Sequence, residues 1–263
     1  MSERINKIFK KKGKKLVTFT TGGDPDLETS FEILKTIANN DIDMIEIGMP
    51  FSDPMADGPT IQESSVRSIT NGTKINDIFE IVKKLRKINN EIPIILMGYY
   101  NSIFNLGIDI FTSKCSEVGV DGLIIVDLQP EEDPELLIKT KDKNIDLIRL
   151  ITPTTDEKRL NTILFNASGF LYYVTITGIT GQNSADIVHL KKSINVIKSS
   201  TKLPVVAGFG IRNKKDVEEI SAFTDGVVVG SSIVNIIKNN LYDKDKMINE
   251  IDIFTKGLKE GVK

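Results

Sequence analysis

Two carboxylates stand where packing alone would not put them. Glu46 lies inside the apolar run Met44-Ile45-Glu46-Ile47-Gly48-Met49-Pro50, and Asp57 follows eleven residues later, across Phe51-Ser52-Asp53-Pro54-Met55-Ala56. Such a run reads as a buried parallel strand, in which an unpaired carboxylate is costly. An acid within a strand end and another on the loop after it are an arrangement for acid/base chemistry. Residues 51–59 hold Pro54, Gly58 and Pro59, so special backbone needs shape the loop. Packing offers plainer readings: Glu46 as a buried acid paired with a distant Lys or Arg, Asp57 as a turn or helix-start residue before Thr60-Ile61-Gln62. Asp53 competes with Asp57 for the second role, and spacing does not choose between them.

A second cluster is rich in glycine. It comprises Thr175-Ile176-Thr177-Gly178-Ile179-Thr180-Gly181, Ala207-Gly208-Phe209-Gly210-Ile211 and Gly230-Ser231-Ser232-Ile233, each closing an apolar run. Glycines there let backbone N–H groups approach an anion, and Ser231-Ser232 opening a short helix, Ile233 to Lys238, adds a dipole and a hydroxyl. The plainer reading is that glycines merely end strands. Three such ends in succession favour phosphate. Gly208-Phe209-Gly210-Ile211-Arg212-Asn213 lacks the third glycine of a dinucleotide fingerprint, which argues against a nicotinamide site.

The elements that must position these groups recur at intervals of about thirty residues. Apolar runs at Lys15–Gly22, Met44–Met49, Pro93–Tyr99, Gly122–Leu128, Leu147–Thr152, Gly169–Ile176, Pro204–Gly210 and Gly226–Gly230 are rich in Val, Ile and Leu and bounded by Gly, Pro or Asp. Helical periodicity fills the intervals, as in Ile75, Ile78, Val82 and Leu85, with Asp77, Asp156 and Asn213 as helix-start residues. Eight strand–helix units predict one α/β domain over 1–263, a (β/α)8 TIM barrel with its site at the carboxyl ends of the strands. A doubly wound open sheet is the alternative. Residues 2–11, with Ile5, Ile8 and Phe9, are expected as an extra N-terminal helix plugging the barrel bottom.

Composition narrows the chemistry. The chain has 263 residues, 40% hydrophobic and 27% charged, with a net charge of −2, so nothing suggests a nucleic-acid partner. The absence of a long apolar segment or signal region predicts no membrane partner and cytoplasmic residence. Cys115 is the only cysteine and His189 the only histidine, so no metal site is expected and proton transfer falls to carboxylates. Phe19, Tyr99, Tyr172 and Tyr173 fall on strands, where they either fill the core or wall an aromatic substrate. Lys10-Lys11-Lys12-Gly13-Lys14-Lys15 reads as a solvated bend.

The run from Glu46 to Gln62, EIGMPFSDPMADGPTIQ, closely resembles the signature of the tryptophan synthase alpha chain. The resemblance continues through Gly23-Asp24-Pro25, Met97-Gly98-Tyr99-Tyr100-Asn101, Asp127 with Glu131-Glu132, Thr152-Pro153-Thr154-Thr155 and the three glycine motifs. It implies a (β/α)8 barrel that cleaves indole-3-glycerol phosphate to indole and glyceraldehyde 3-phosphate, a retro-aldol lyase step of tryptophan biosynthesis. It also implies a beta-chain partner in an α2β2 assembly. Pyridoxal phosphate belongs to that partner, and no cofactor is expected in this chain. Glu46 is similar to the acid that protonates indole C3 and then helps deprotonate the glycerol hydroxyl, and Asp57 to the carboxylate that holds the indole N–H. Thr180 matches the residue that orients that aspartate. Gly181, Gly210, Gly230 and Ser231 match phosphate-binding positions, and Phe19, Met97, Tyr99 and Tyr172 match residues around the indole. Such chemistry needs two carboxylates with different pKa values: Glu46 raised by desolvation, Asp57 left ionised. Gln129, where a proline is common, and Ile176, where some members carry arginine, depart from the pattern near the loops that close the site. Two rival functions are an isomerase or epimerase of phosphorylated sugars, which needs no carboxylate at Asp57, and a silent subunit that only activates a partner.

Overall fold

The computed structural model describes residues 2–174, 184–208 and 210–262, with the backbone alone at 184–186. Nine parallel strand segments form one sheet: β1 (Lys15–Thr21), β2 (Met44–Gly48), β3 (Ile94–Gly98), β4 (Gly122–Ile125), β5 (Asp146–Leu147), β6 (Arg149–Ile151), β7 (Leu171–Val174), β8 (Val205–Gly208) and β9 (Gly226–Val229). Their order is β5-β4-β3-β2-β1-β9-β8-β7-β6. The two ends of that order are consecutive in the chain, separated by Ile148 alone. Asp146–Leu147 pairs with β4, whereas Arg149–Ile151 pairs with β7. The split strand therefore closes an eight-position ring, and the predicted (β/α)8 barrel is what forms. The open-sheet alternative is excluded by that closure.

Strand alternation sorts the apolar residues into two sets. Val17, Phe19, Met44, Ile95, Ile124, Ile148, Tyr172, Val206 and Val228 fill the inside of the ring. Leu16, Ile45, Ile47, Leu96, Leu123, Leu147, Tyr173, Val205 and Val227 face outward and are covered by the apolar sides of the helices. Tyr172 and Tyr173 thus separate, the first inward and the second into the outer layer. Glu3–Lys10 is a helix whose Ile5 and Ile8 join the inner set, and Phe9 packs against Phe170 at 5.6 Å between ring centroids. It is moored by Ser2, whose N–H donates to Asp146 Oδ2 (3.0 Å) and whose hydroxyl donates to Asp121 Oδ1 (2.7 Å).

Helix starts follow the sequence at Asp156 and Asn213, whose side chains accept the N–H groups of Arg159 and Asp216. Asp77 does not begin its helix. That helix is Ile75–Ile88, and the Asp77 carboxylate reaches back to the N–H of Lys74 (2.8 Å), the reciprocal half of a capping arrangement. Among the described residues, no helix is long and apolar enough to cross a membrane.

Candidate active site

Register places Glu46 in a row with Phe19 of β1 and Ile95 of β3, so its side chain points into the barrel. It is 1% exposed, and among the described residues neither carboxylate oxygen has a hydrogen-bond partner. The packing alternative, a pairing with a distant Lys or Arg, is therefore not what the fold provides. An acid so placed avoids ionising. Burial, reinforced by the negative charge of Asp57, pushes Glu46 up to about 8.

Asp57 lies at the carboxyl end of the barrel, on the wall of a cavity with Phe19, Gly48, Ile61, Met97 and Tyr99. Asp53 is exposed, accepts the hydroxyl proton of its neighbour Ser52, and is not among the residues of that wall. Burial raises Asp57 above the usual carboxylate range, and a hydrogen bond from Tyr99 opposes the rise. The expected division between the carboxylates is thus one of degree: both are raised, Glu46 much the further. Tyr172 stands on the opposite side of the ring, with its hydroxyl held well above its ordinary pKa by burial and then by the charges of Glu46 and Asp57. It remains a phenol and a hydrogen-bond donor.

Tyr99 does more than wall a pocket. Its hydroxyl accepts the N–H of Ala56 at 3.0 Å, and its ring stacks on Phe51 with centroids 5.1 Å apart. Both ends of the Asp57 loop are thereby fixed to one side chain, itself 2% exposed. Gln62 adds a brace, donating to the carbonyls of Asp57 (2.9 Å) and Pro54 (3.4 Å). Gln62 rides on helix Pro59–Thr70, which is bonded to the chain after β1. Arg67 makes a two-pronged pair with the buried Asp24, 2.8 Å on each prong, and Ser68 donates to the carbonyl of Gly22 (2.7 Å). Sequence reasoning missed these braces; the only signal was that Gly23-Asp24-Pro25 and Gln62 lie within family-like motifs. Tyr99→Phe is expected to lower turnover several-fold with little change in fold stability, because the Ala56 N–H and the Asp57 carboxylate lose their partner. Steady-state kinetics alongside a thermal melt checks this.

Glycines at the strand ends make room for the two interior rings. A Cβ on Gly48 would meet Phe19 Cζ at 2.8 Å, one on Gly208 would meet the Tyr172 ring at 2.8 Å, and one on Gly230 would meet Phe19 at 3.3 Å. Gly230 therefore has a packing role besides any part in anion binding. Gly210 is different: its φ of +54° suits glycine, and a Cβ there would meet none of the described residues. Gly230 precedes helix Ser231–Asn239, whose first internal bonds run from the N–H groups of Ile233 and Val234 to the Gly230 carbonyl. The N–H groups of Ser231 and Ser232 come before those bonds, at the positive end of the helix dipole. Ser231 is exposed, whereas Ser232 donates to the carbonyl of Ile211 at 2.8 Å. Thr180, Gly181 and Ile176 lie outside the described residues. Gln129 accepts from Arg159 at 3.2 Å, and Glu131 pairs with the same guanidinium.

The other polar candidates stand apart from this site. His189 is exposed on helix Ser184–Ser200, and Cys115 is buried in helix Ile108–Val118 with its thiol pushed up by burial. Among the described residues, no group of three or more His, Cys, Asp or Glu side chains is placed to hold a metal ion.

Comparison with known proteins agrees with this fold. A tryptophan synthase subunit alpha from Legionella pneumophila str. Paris superposes with a TM-score of 0.91 at 33% identity, covering 99% of this chain and 98% of that one. An Aquifex aeolicus VF5 protein reaches 0.88 at 37% identity over 100% and 98% of the two chains. A Mycobacterium tuberculosis tryptophan synthase reaches 0.90 at 26% identity over 99% and 98%. The family model of the tryptophan synthase alpha chain matches residues 5–263, and with that span the chain belongs to this family of tryptophan-biosynthetic enzymes.

Proposed function

We propose that this chain cleaves indole-3-glycerol phosphate to indole and glyceraldehyde 3-phosphate, a carbon–carbon lyase reaction, and that Glu46 and Asp57 carry the proton chemistry. The observation that carries this reading is Glu46: fully buried, without a hydrogen-bond partner among the described residues, and protonated at neutral pH beside a second carboxylate. Protonation of indole C3 by Glu46 leaves positive charge on the ring nitrogen, which the Asp57 carboxylate offsets while accepting the N–H. The bond from C3 to the glycerol carbon then breaks, and its electrons restore the aromatic ring. The glycerol hydroxyl becomes the aldehyde carbonyl as the newly formed Glu46 carboxylate takes its proton. The same group acts as acid and then as base, which a pKa near 8 allows at physiological pH.

Phe19, Met97, Tyr99 and Tyr172 would enclose the indole. Gly210, Gly230 and Ser231, with Gly181, would take the phosphate, and Thr180 would orient Asp57. The left-handed turn at Gly210 and the start of helix Ser231–Asn239 support the phosphate reading. Pyridoxal phosphate would be held by a partner beta chain, in a cytoplasmic α2β2 assembly.

The docking face follows from the loop that carries Asp57. Met55, on the loop that Tyr99 holds, is 82% exposed, and Phe104, on the helix Tyr100–Leu106 that follows Tyr99, is 66% exposed and lies 6.1 Å from Tyr100 between ring centroids. Apolar side chains gathered beside a site and rimmed by Asn, Ser and Asp suit a protein partner. A beta chain seated there adds to the braces on loop 51–58 and is expected to raise the cleavage rate by at least ~10-fold, a free energy of about 1.4 kcal/mol. Phe104→Asp should abolish that rise and spare the basal rate. Measuring indole released by the purified chain, alone and with increasing beta chain, tests both halves. No indole under either condition would overturn the lyase assignment, and indole without any rise at saturation would overturn the docking face alone.

A further inference from the structure

We propose a second anion site at the opposite end of the barrel from Glu46 and Asp57, of a kind that takes a small polyphosphate. The amino ends of β1, β8 and β9 leave a cavity of about 410 Å3 whose wall includes Lys14, Lys15, Lys198, Lys202 and Asp225. The sequence reading of Lys10 to Lys15 as a solvated bend holds for Lys10, Lys11 and Lys12, which are exposed. It fails for the last two. Gly13, with φ of +90°, turns the chain so that Lys14 is half-buried and Lys15, 3% exposed, becomes the first residue of β1.

Three of these four ammonium groups are held in place, while Lys202 is exposed. Lys15 Nζ donates to the carbonyls of Lys11 (2.9 Å) and Lys12 (3.3 Å). Lys14 Nζ donates to the carbonyl of Thr224 (2.5 Å), and Lys198 Nζ to Asp225 Oδ1 (2.6 Å). An ammonium has three donors, so each of these retains at least one after its fixed bonds. The one carboxylate on the wall is already engaged: Asp225 accepts from Lys198 and from the N–H of Val205 (2.9 Å). The nearby Asp43 is likewise held by Lys259 (2.5 Å) and the N–H of Leu16 (2.9 Å). Burial, with Lys259 and Lys11 adding to it, pushes Lys15 below its ordinary value against the pull of Asp43, and a bound anion would relieve that.

The donor set indicates which anion. Among the described residues, four lysines and no arginine line the cavity, giving point charges that suit phosphate oxygens rather than the planar fork that suits a carboxylate. Several fixed charges around one small cavity ask for several negative charges on one small ligand. A nucleic-acid duplex would instead need an extended basic face, and the chain as a whole carries −2.

Calorimetric titration of the full chain with inorganic tripolyphosphate tests this, with glycerol 3-phosphate held saturating so that the strand-end phosphate position is occupied. ATP titrated in parallel distinguishes a nucleotide triphosphate from a free polyphosphate. One equivalent is expected to bind, and Lys14→Ala with Lys202→Ala is expected to weaken it at least ~10-fold while indole release stays unchanged. Lys202→Glu, a change on an exposed side chain, should weaken it alone and serves if the double variant folds poorly. Failure of both titrants to bind, displacement by glycerol 3-phosphate, or equal affinity in wild type and a folded variant would overturn the site. The binding of tripolyphosphate and its loss in the variants do not depend on the lyase assignment.

Discussion

Glu46→Gln is expected to remove nearly all indole production and at the same time to stabilise the protein at neutral pH. The amide fills the same space but cannot deliver a proton to C3, and loss of a positioned acid/base costs ~10²–10⁴ in rate. The stability gain follows from linkage. Below the unfolded-state value near 4.5, folded and unfolded chains both hold the Glu46 proton, and its burial costs nothing through ionisation. Between 4.5 and about 8 the unfolded chain releases the proton while the folded one keeps it, so wild type loses stability as pH rises. At pH 7 the loss is about 3 kcal/mol, and glutamine, which does not titrate, escapes it. Denaturant unfolding of both proteins from pH 5 to 8 should show the variant's advantage growing with pH. Equal stability across that range, or activity within a few-fold of wild type, would contradict the assignment.

Asp57→Asn is expected to lower the cleavage rate by ~10² or more, because a preorganised charge facing the developing indolenine is replaced by a neutral amide. Glycerol 3-phosphate should bind the variant as it binds wild type, since Gly210 and Ser231 lie on other strand ends. A second effect separates electrostatics from misfolding. The Asp57 charge helps hold Glu46 protonated, so its removal should move the alkaline limb of the residual activity to lower pH. An unmoved limb, or loss of glycerol phosphate binding, would show that the two carboxylates are not coupled as described.

Much of the fold was legible because parallel strands buried on both faces leave long apolar runs, and eight such runs with helical intervals leave few alternatives. The split at Ile148 was not legible. Apart from Arg149 the run from Leu147 to Thr152 reads as a single strand, and only three-dimensional pairing shows that it changes partners there. Glu46 was conspicuous as an acid in an apolar run, whereas Asp57 and Asp53 differ only in which way a loop turns. That direction is set by the Phe51–Tyr99 stack and the bond from Ala56 to Tyr99, contacts across more than forty residues of sequence. The glycines misled in part, because Gly48, Gly208 and Gly230 also yield space to Phe19 and Tyr172. No local pattern announces the size of a ring on a neighbouring strand.

Carbon-13 NMR titration of the glutamate side-chain carboxyls, with the Glu46 resonance identified by its absence from Glu46→Gln, tests the central claim most directly. A midpoint near 8 is predicted, with Glu46 still protonated at pH 7 and able to supply the proton that cleavage requires. A midpoint in the ordinary carboxylate range, between about 4 and 5, would leave Glu46 ionised at neutral pH and contradict its role as the acid.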